Sequence, residues 1–276
     1  MNSEKLFIPA TSNGKLSDTT HLCIAAHQDD IELMAAGAIL ECYGKKGKAF
    51  TGVVVTNGSG SPRSGVYANY TDDDMQKIRA IEQNDAATIG RYNAQMHLHY
   101  PSGAVKDNNN AALIDELVEI ILTTKPDVLL THNFADKHDT HCAVAMQVLR
   151  ALRKIPASQR PGKIYSMEVW RSLDWVCDED KVLFDTSNDE FMQAAMLGAF
   201  HSQIAGGKRY DLAGLGRKRA NATYFASHAT DDYTSAEYAL DITELVNNPD
   251  LTPTEFINKH IENFKADVNT RLAQFQ

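Results

Sequence analysis

Ten residues near the start of the chain, Cys23-Ile24-Ala25-Ala26-His27-Gln28-Asp29-Asp30-Ile31-Glu32, constrain its fold more than any other stretch. An apolar run stops at a histidine, two adjacent carboxylates come next, and an amphipathic segment begins. Residues 21–27 read as a short buried strand. Residues 29–43 read as a helix, with Ile31, Met34, Ala35, Ala38, Ile39 and Cys42 recurring at three- and four-residue steps. His27 then stands at the carboxyl end of a strand, with Asp29 and Asp30 in the first turn of the next helix. Open α/β sheets bind ligands at that end, so the turn is a candidate metal site.

The chain beyond it alternates in the same way. Residues 49–56 form a second strand whose Val53-Val54-Val55 core is typical of a parallel strand buried on both faces. After a Gly-, Ser- and Asn-rich loop (57–70), Thr71 and Asp72–Asp74 provide the cap and acidic first turn of a helix that Gly90 ends. Strands at 96–100, 127–132 and 163–170 and helices at 111–124 and 140–154 continue the pattern. Helices are expected near 187–203, 210–225 and 253–274. This predicts an α/β fold, Rossmann-like and doubly wound, with a mostly parallel sheet, helices on both faces and a C-terminal elaboration. The chain reads as one domain, with a core over 1–155 and the elaboration over 156–276.

Composition narrows the function. A formal net charge of −9 on 276 residues argues against nucleic acid as a partner, because phosphate contacts need a basic face. No run approaches the roughly 20 apolar residues of a membrane span, and the polar stretch Met1–Lys15 lacks the core of a secretory signal. Cys23, Cys42, Cys142 and Cys177 show no CxxC spacing and sit mostly in apolar runs. They read as reduced buried thiols, which makes a cytoplasmic location the default.

Two constellations carry chemistry. In the first, His27 and Asp30 span a strand-to-helix turn at i and i+3. Imidazole plus carboxylate oxygen suits zinc, and Asp29 beside them is left free to take a proton from water. The plainer reading is that Asp29 caps the helix and His27 is a hydrogen-bonded histidine at a strand end. The second, Thr131 to His141, again comes after a strand and opens a helix, with His138 and His141 three residues apart. If the two strands are neighbours at a topological switch point, the clusters converge. In that stretch His132 reads as structural and Asp139 as a helix cap. The loop Asn57–Gly65 lacks the Gly-Lys-Ser/Thr ending of a P-loop and reads as a mobile rim. Arg79 and Glu82 form either a surface ion pair or a contact with the pocket. Trp170 and Trp175 read as packing residues, and the basic groups at 208–209 and 217–219 as solvated faces.

AHQDDIELMAAGAIL resembles the AHPDDxE signature of the LmbE-like (PIG-L) N-acetylglucosaminyl deacetylases. KHDTH at 137–141 resembles their second motif, and Arg79–Glu82 and Phe200–Gln203 fit as well. The resemblance implies a zinc hydrolase, with iron(II) as the alternative metal, that removes an acyl group from an amide nitrogen of a glucosamine-containing small molecule or lipid. It makes His27, Asp30 and His141 the metal ligands, Asp29 the general base, a protonated His138 the stabiliser of the tetrahedral intermediate, and Arg79 a substrate-binding residue. Gln28 replaces the family's proline, Asp139-Thr140 replaces Pro-Asp, and Ser102 stands where an aspartate is common. These departures bear on substrate choice.

Rival readings are an amidase acting on a thiol-sugar conjugate or another acyl amide, a non-catalytic binding protein of the same fold, and a nucleotide-dependent oxidoreductase. The aspartates after strand one, where glycines would be needed, count against the last. A homo-oligomer is an expected assembly.

Overall fold

A computed structural model describes residues 3–276; Met1 and Asn2, the start of the polar N-terminal stretch, lie outside them. The strands are β1 (Leu6–Phe7), β2 (His21–Ala25), β3 (Phe50–Thr56), β4 (Ala94–Tyr100), β5 (Val128–His132), β6 (Lys163–Met167), β7 (Lys181–Asp185) and β8 (Ala236–Asp241). They form one eight-stranded sheet in the order β1-β4-β3-β2-β5-β6-β8-β7. The five central strands β4-β3-β2-β5-β6 are parallel, and β1, β8 and β7 pair antiparallel at the edges. The chain winds outward from β2 to one side and then from β5 to the other. The β2/β5 boundary is therefore the switch point, where the carboxyl ends of parallel strands leave a crevice.

The helices are α1 (Asp30–Met34), α2 (Ala36–Cys42), α3 (Asp72–Ile89), α4 (Ser102–Val105), α5 (Ala111–Thr124), α6 (Asp139–Lys154), α7 (Glu190–Gly198), α8 (His201–Ala205), α9 (Tyr210–Tyr224), α10 (Thr243–Asn247) and α11 (Pro253–Ala273). They cover both faces of the sheet. Alternation along β2 sends Leu22, Ile24 and Ala26 into one core with α5 and α6, and Cys23 and Ala25 into the other with α1, α2 and α7. Local chemistry sets several boundaries. Thr71 and Asp74 close a capping box at α3, and Thr252 and Glu255 close another at α11, where Pro253 takes the first helical position. Asn110 accepts a hydrogen bond from the Leu113 amide at α5.

Three expectations are corrected. The predicted helix 29–43 is two helices, broken at Ala35 (φ −126°, ψ 23°). The amides of Ala36 and Gly37, which a continuous helix would have bonded internally, donate instead to the Glu237 carboxylate at 3.2 and 2.9 Å. Lys218 holds that carboxylate at 2.9 Å and also donates to the Glu32 carbonyl. Gly37 is required here, because a Cβ would lie 2.5 Å from Phe184 Cβ. Second, the helix expected near 187–203 is two, α7 and α8, and β7 and β8 extend the sheet in the same third of the chain. Third, Asp139 is the first residue of α6, and His138 is its cap, accepting from the Thr140 amide at 3.2 Å.

All four cysteines are free, Cys23 and Cys42 buried and Cys142 and Cys177 partly so. Among the described residues no helix is long and apolar enough to cross a membrane.

Candidate metal centre

The two His/Asp segments meet at the switch point. His27 leaves the end of β2, Asp30 opens α1, and His141 projects from the first turn of α6, just after β5. His27 Nδ1 lies 3.1 Å from His141 Nε2 and 3.2 Å from Asp30 Oδ2, and His141 Nε2 is 3.3 Å from the same oxygen. Three donors on one ion at bond lengths of about 2.0–2.1 Å in tetrahedral array sit about 3.3 Å apart, so the set fits a zinc-like cation.

The proton accounting agrees. Asp136 Oδ2 lies 2.9 Å from His141 Nδ1, which makes that nitrogen the protonated one and leaves Nε2 bare toward Asp30 and His27. Burial works against charge on His141, yet Asp30 and Asp136 lift its pKa to about 9. The carboxylates around Nε2 thus favour positive charge there, as a proton or a divalent cation would supply. Asp136 is itself fixed by the amides of Lys137, Val169 and Trp170, in the manner of a carboxylate that orients a ligating histidine.

His132 also approaches Asp30, at 3.3 Å. Its Nε2, however, accepts the Ala26 amide at 2.8 Å. Its lone pair is therefore spent, in keeping with the structural role expected at a strand end. Burial, with His141 adding to it, lowers its pKa to about 4 and keeps it neutral.

Asp29 does not cap α1. It has φ +94°, a left-handed backbone, and its side chain makes no cap hydrogen bond. For a non-glycine residue this stores of order 1–3 kcal/mol unless neighbours enforce it. Two residues of α3 do so. Gln83 Oε1 accepts the Asp29 amide at 3.1 Å, and Arg79 Nη2 donates to Asp29 Oδ2 at 3.0 Å and to the Gln28 carbonyl. The carboxylate is turned into the crevice beside Asp30. Burial raises its pKa to about 6, against the pull of Arg79.

Arg79 and Glu82 are not a surface pair, for both are buried. Arg79 Nη1 is 3.7 Å from Glu82, which accepts the amide and hydroxyl of Ser202 at 2.5 and 2.7 Å. This ties the Phe200–Gln203 stretch to the site. His138 rings the other side, 4.9 Å centroid to centroid from His27 and 4.7 Å from His141. Burial, reinforced by His141 and His27, lowers its pKa. Its Nδ1 accepts from the Thr140 amide, so in the neutral ring the proton sits on Nε2.

These groups line a cavity of about 270 Å³. Gly58, Gly60, Ser61 and Pro62 of the Gly-rich loop also line it, as do Ser102, Lys106, Trp170 and Tyr210. Trp170, read from sequence as packing, thus faces the cavity, with the ammonium of Lys208 5.1 Å above its ring. Sequence reasoning assigned no role to Asp136 or Gln83. Asp136 had a signal, an aspartate five residues before His141 in the same loop. Gln83 had none.

Residues 22–152 match the family model PIG-L, described as GlcNAc-PI de-N-acetylase. No curated protein matches the chain in sequence. Among solved structures, the chain is similar to the conserved protein TT1542 from Thermus thermophilus (TM-score 0.63, 18% identity, covering 80% of this chain and 93% of that one). It is also similar to the N,N'-diacetylchitobiose deacetylase from Pyrococcus horikoshii (0.60, 14%, 83% and 86%). A third is GalB, the 4-carboxy-2-hydroxymuconate hydratase from Pseudomonas putida (0.60, 16%, 85% and 98%). At these identities the likeness is one of fold.

Proposed function

From the match of residues 22–152 to the PIG-L family, we propose that the chain is a metal-dependent N-deacetylase acting on an acylated amino-sugar small molecule. The observation that carries this reading is the convergence of His27, Asp30 and His141 within 3.1–3.3 Å of one another, beside a buried carboxylate.

His27, Asp30 and His141 would hold the ion, zinc by the donor set and iron(II) as the alternative. When bound, the cation acts as a Lewis acid that polarises the acyl carbonyl and brings the pKa of water toward about 7. Asp29 takes a proton from the attacking water as the new C–O bond forms. His138, neutral and bearing its proton on Nε2, donates to the carbonyl oxygen as negative charge gathers there. The C–N bond then breaks as Asp29 returns its proton to the leaving amine, and the acid's remaining proton passes to that amine, so that a carboxylate and an ammonium group depart. Asp136 keeps His141 in the tautomer that leaves Nε2 bare.

A cavity of about 270 Å³ lies at the small end of ligand pockets, a size for one sugar ring and its acyl group rather than a lipid tail. The Trp170 face offers an apolar platform for that ring. Four free thiols favour a reducing, cytoplasmic setting.

The test is incubation of the zinc- or iron(II)-loaded protein with a panel of N-acetylglucosamine glycosides, with acetate and free amine measured together. Equimolar release of both on at least one substrate, lost after chelation, is expected. Absence of release across the panel from protein shown to carry one ion per chain would overturn the reading.

A further inference from the structure

The C-terminal helix α11 begins against the body and then leaves it. Phe256, Ile257 and His260 in its first two turns are buried, and His260 is anchored to Asp180 at 3.0 Å. The same apolar face continues as Ile261, Phe264, Val268, Leu272 and, just past the helix end, Phe275. Their spacing of three, four, four and three residues keeps them on one side of the helix. These five side chains have between 37% and 85% of their surface exposed, and among the described residues none joins either hydrophobic core. A lengthwise stripe of this kind is more than the scattered exposure ordinary for a soluble surface.

We propose that this face of α11 is where two copies of the chain pair, antiparallel, across a two-fold axis near Asn269 and Thr270. Charge selects the occupant. From residue 253 onward there are three acidic residues (Glu255, Glu262, Asp267) and three basic ones (Lys259, Lys265, Arg271). A segment with no net positive charge is a poor match for an anionic membrane surface, which amphipathic helices meet with a basic polar face.

Charge also selects the direction. Arg271 falls on the stripe by heptad spacing from Phe264, and within one helix it is held by Asp267 at 3.0 Å. In a parallel pair the two Arg271 guanidiniums would face each other in the seam. In the antiparallel pair each Arg271 meets the partner's Asp267, so the four charges alternate in sign, while Phe264 packs against the partner's Phe275. Such an interface is isologous and closes at two copies.

The experiment is sedimentation of the full chain at about 1 and about 100 µM, spanning the micromolar affinity of a short apolar seam. The wild-type mass should rise from one chain to two across that range. Leu272→Glu combined with Phe275→Glu should stay monomeric at both concentrations with an unchanged thermal midpoint, because both side chains are exposed. Asp267→Lys should weaken pairing at least tenfold, and adding Arg271→Glu to it should restore pairing by exchanging the two signs. A wild type that is monomeric at the higher concentration, or that instead binds phosphatidylserine vesicles, overturns the proposal. So does a dimer that survives the double glutamate variant. Failure of the charge exchange to restore pairing overturns the antiparallel geometry.

Discussion

Arg79 Nη2 stands 3.0 Å from Asp29 Oδ2 and also donates to the Gln28 carbonyl, so one guanidinium holds both the side chain and the backbone of the proposed base. Nearly all of Arg79 is buried, at 2% exposed. If Arg79 acts on the substrate through Asp29 and not by direct contact from the cavity wall, its loss should appear in kcat. Arg79→Lys keeps a charge but loses the rigid planar guanidinium that fixes the donor between both acceptors. We expect kcat to fall roughly 10²-fold, the scale of an ångström's misplacement, with KM within a factor of two or so. A raised KM at unchanged kcat would instead make Arg79 a substrate ligand.

Asp29→Asn should retain the metal and lose about 10²–10⁴ in kcat, the usual contribution of a positioned base. Metal analysis beside single-turnover acetate release checks both halves. Wild-type turnover by this variant would remove Asp29 from the mechanism.

Asp136→Asn keeps one of the two oxygens that accept the Val169 and Trp170 amides and removes the charge that fixes His141. Zinc affinity should fall roughly 10- to 100-fold, measured by competition with a chromophoric chelator, and activity should recover at saturating zinc. Asp139→Asn, an exposed change one residue from His138, should leave affinity alone.

His97 on β4 gives a pH signature remote from the metal cluster. Burial, with His99 adding to it, lowers its pKa to about 4; Nε2 pairs with Asn84 and Nδ1 has no partner. Below about pH 6.5 the unfolded chain takes up a proton that the folded chain refuses until about pH 4. The stability this neutral histidine contributes is thus present above about pH 6.5 and is lost as pH falls through that window, by up to about 3 kcal/mol. Urea denaturation at several pH values, wild type against His97→Gln, should show the variant's curve flatter across the window. Parallel curves would place the loss elsewhere.

Much of this architecture is legible in the chain because its cause is local. The strand–turn–helix rhythm of the first 155 residues, the Thr71 cap with its acidic first turn and the two His/Asp turns arise from patterns a few residues long, and all stand in the structure. What escaped has partners far away in sequence. The helix break at Ala35 is caused by Glu237 and Lys218, and no window around residue 35 contains either. β8 carries a glutamate in its interior, which disguises it as a strand. Glu237 is tolerated there only because two helix amides and a lysine surround it. Gln83 reads as one more polar residue on a helix until the fold sets it under the Asp29 amide.

That glutamate lies 200 residues beyond the Gly37 amide it receives. A chain emerging from the ribosome therefore presents the His27–Asp30 turn long before the carboxylate that settles the adjoining helix has been synthesised. Assembly of the candidate crevice thereby waits on a strand made long after its first turn, and a fragment severed near residue 155 would retain His27, Asp30 and His141 without the brace at α2.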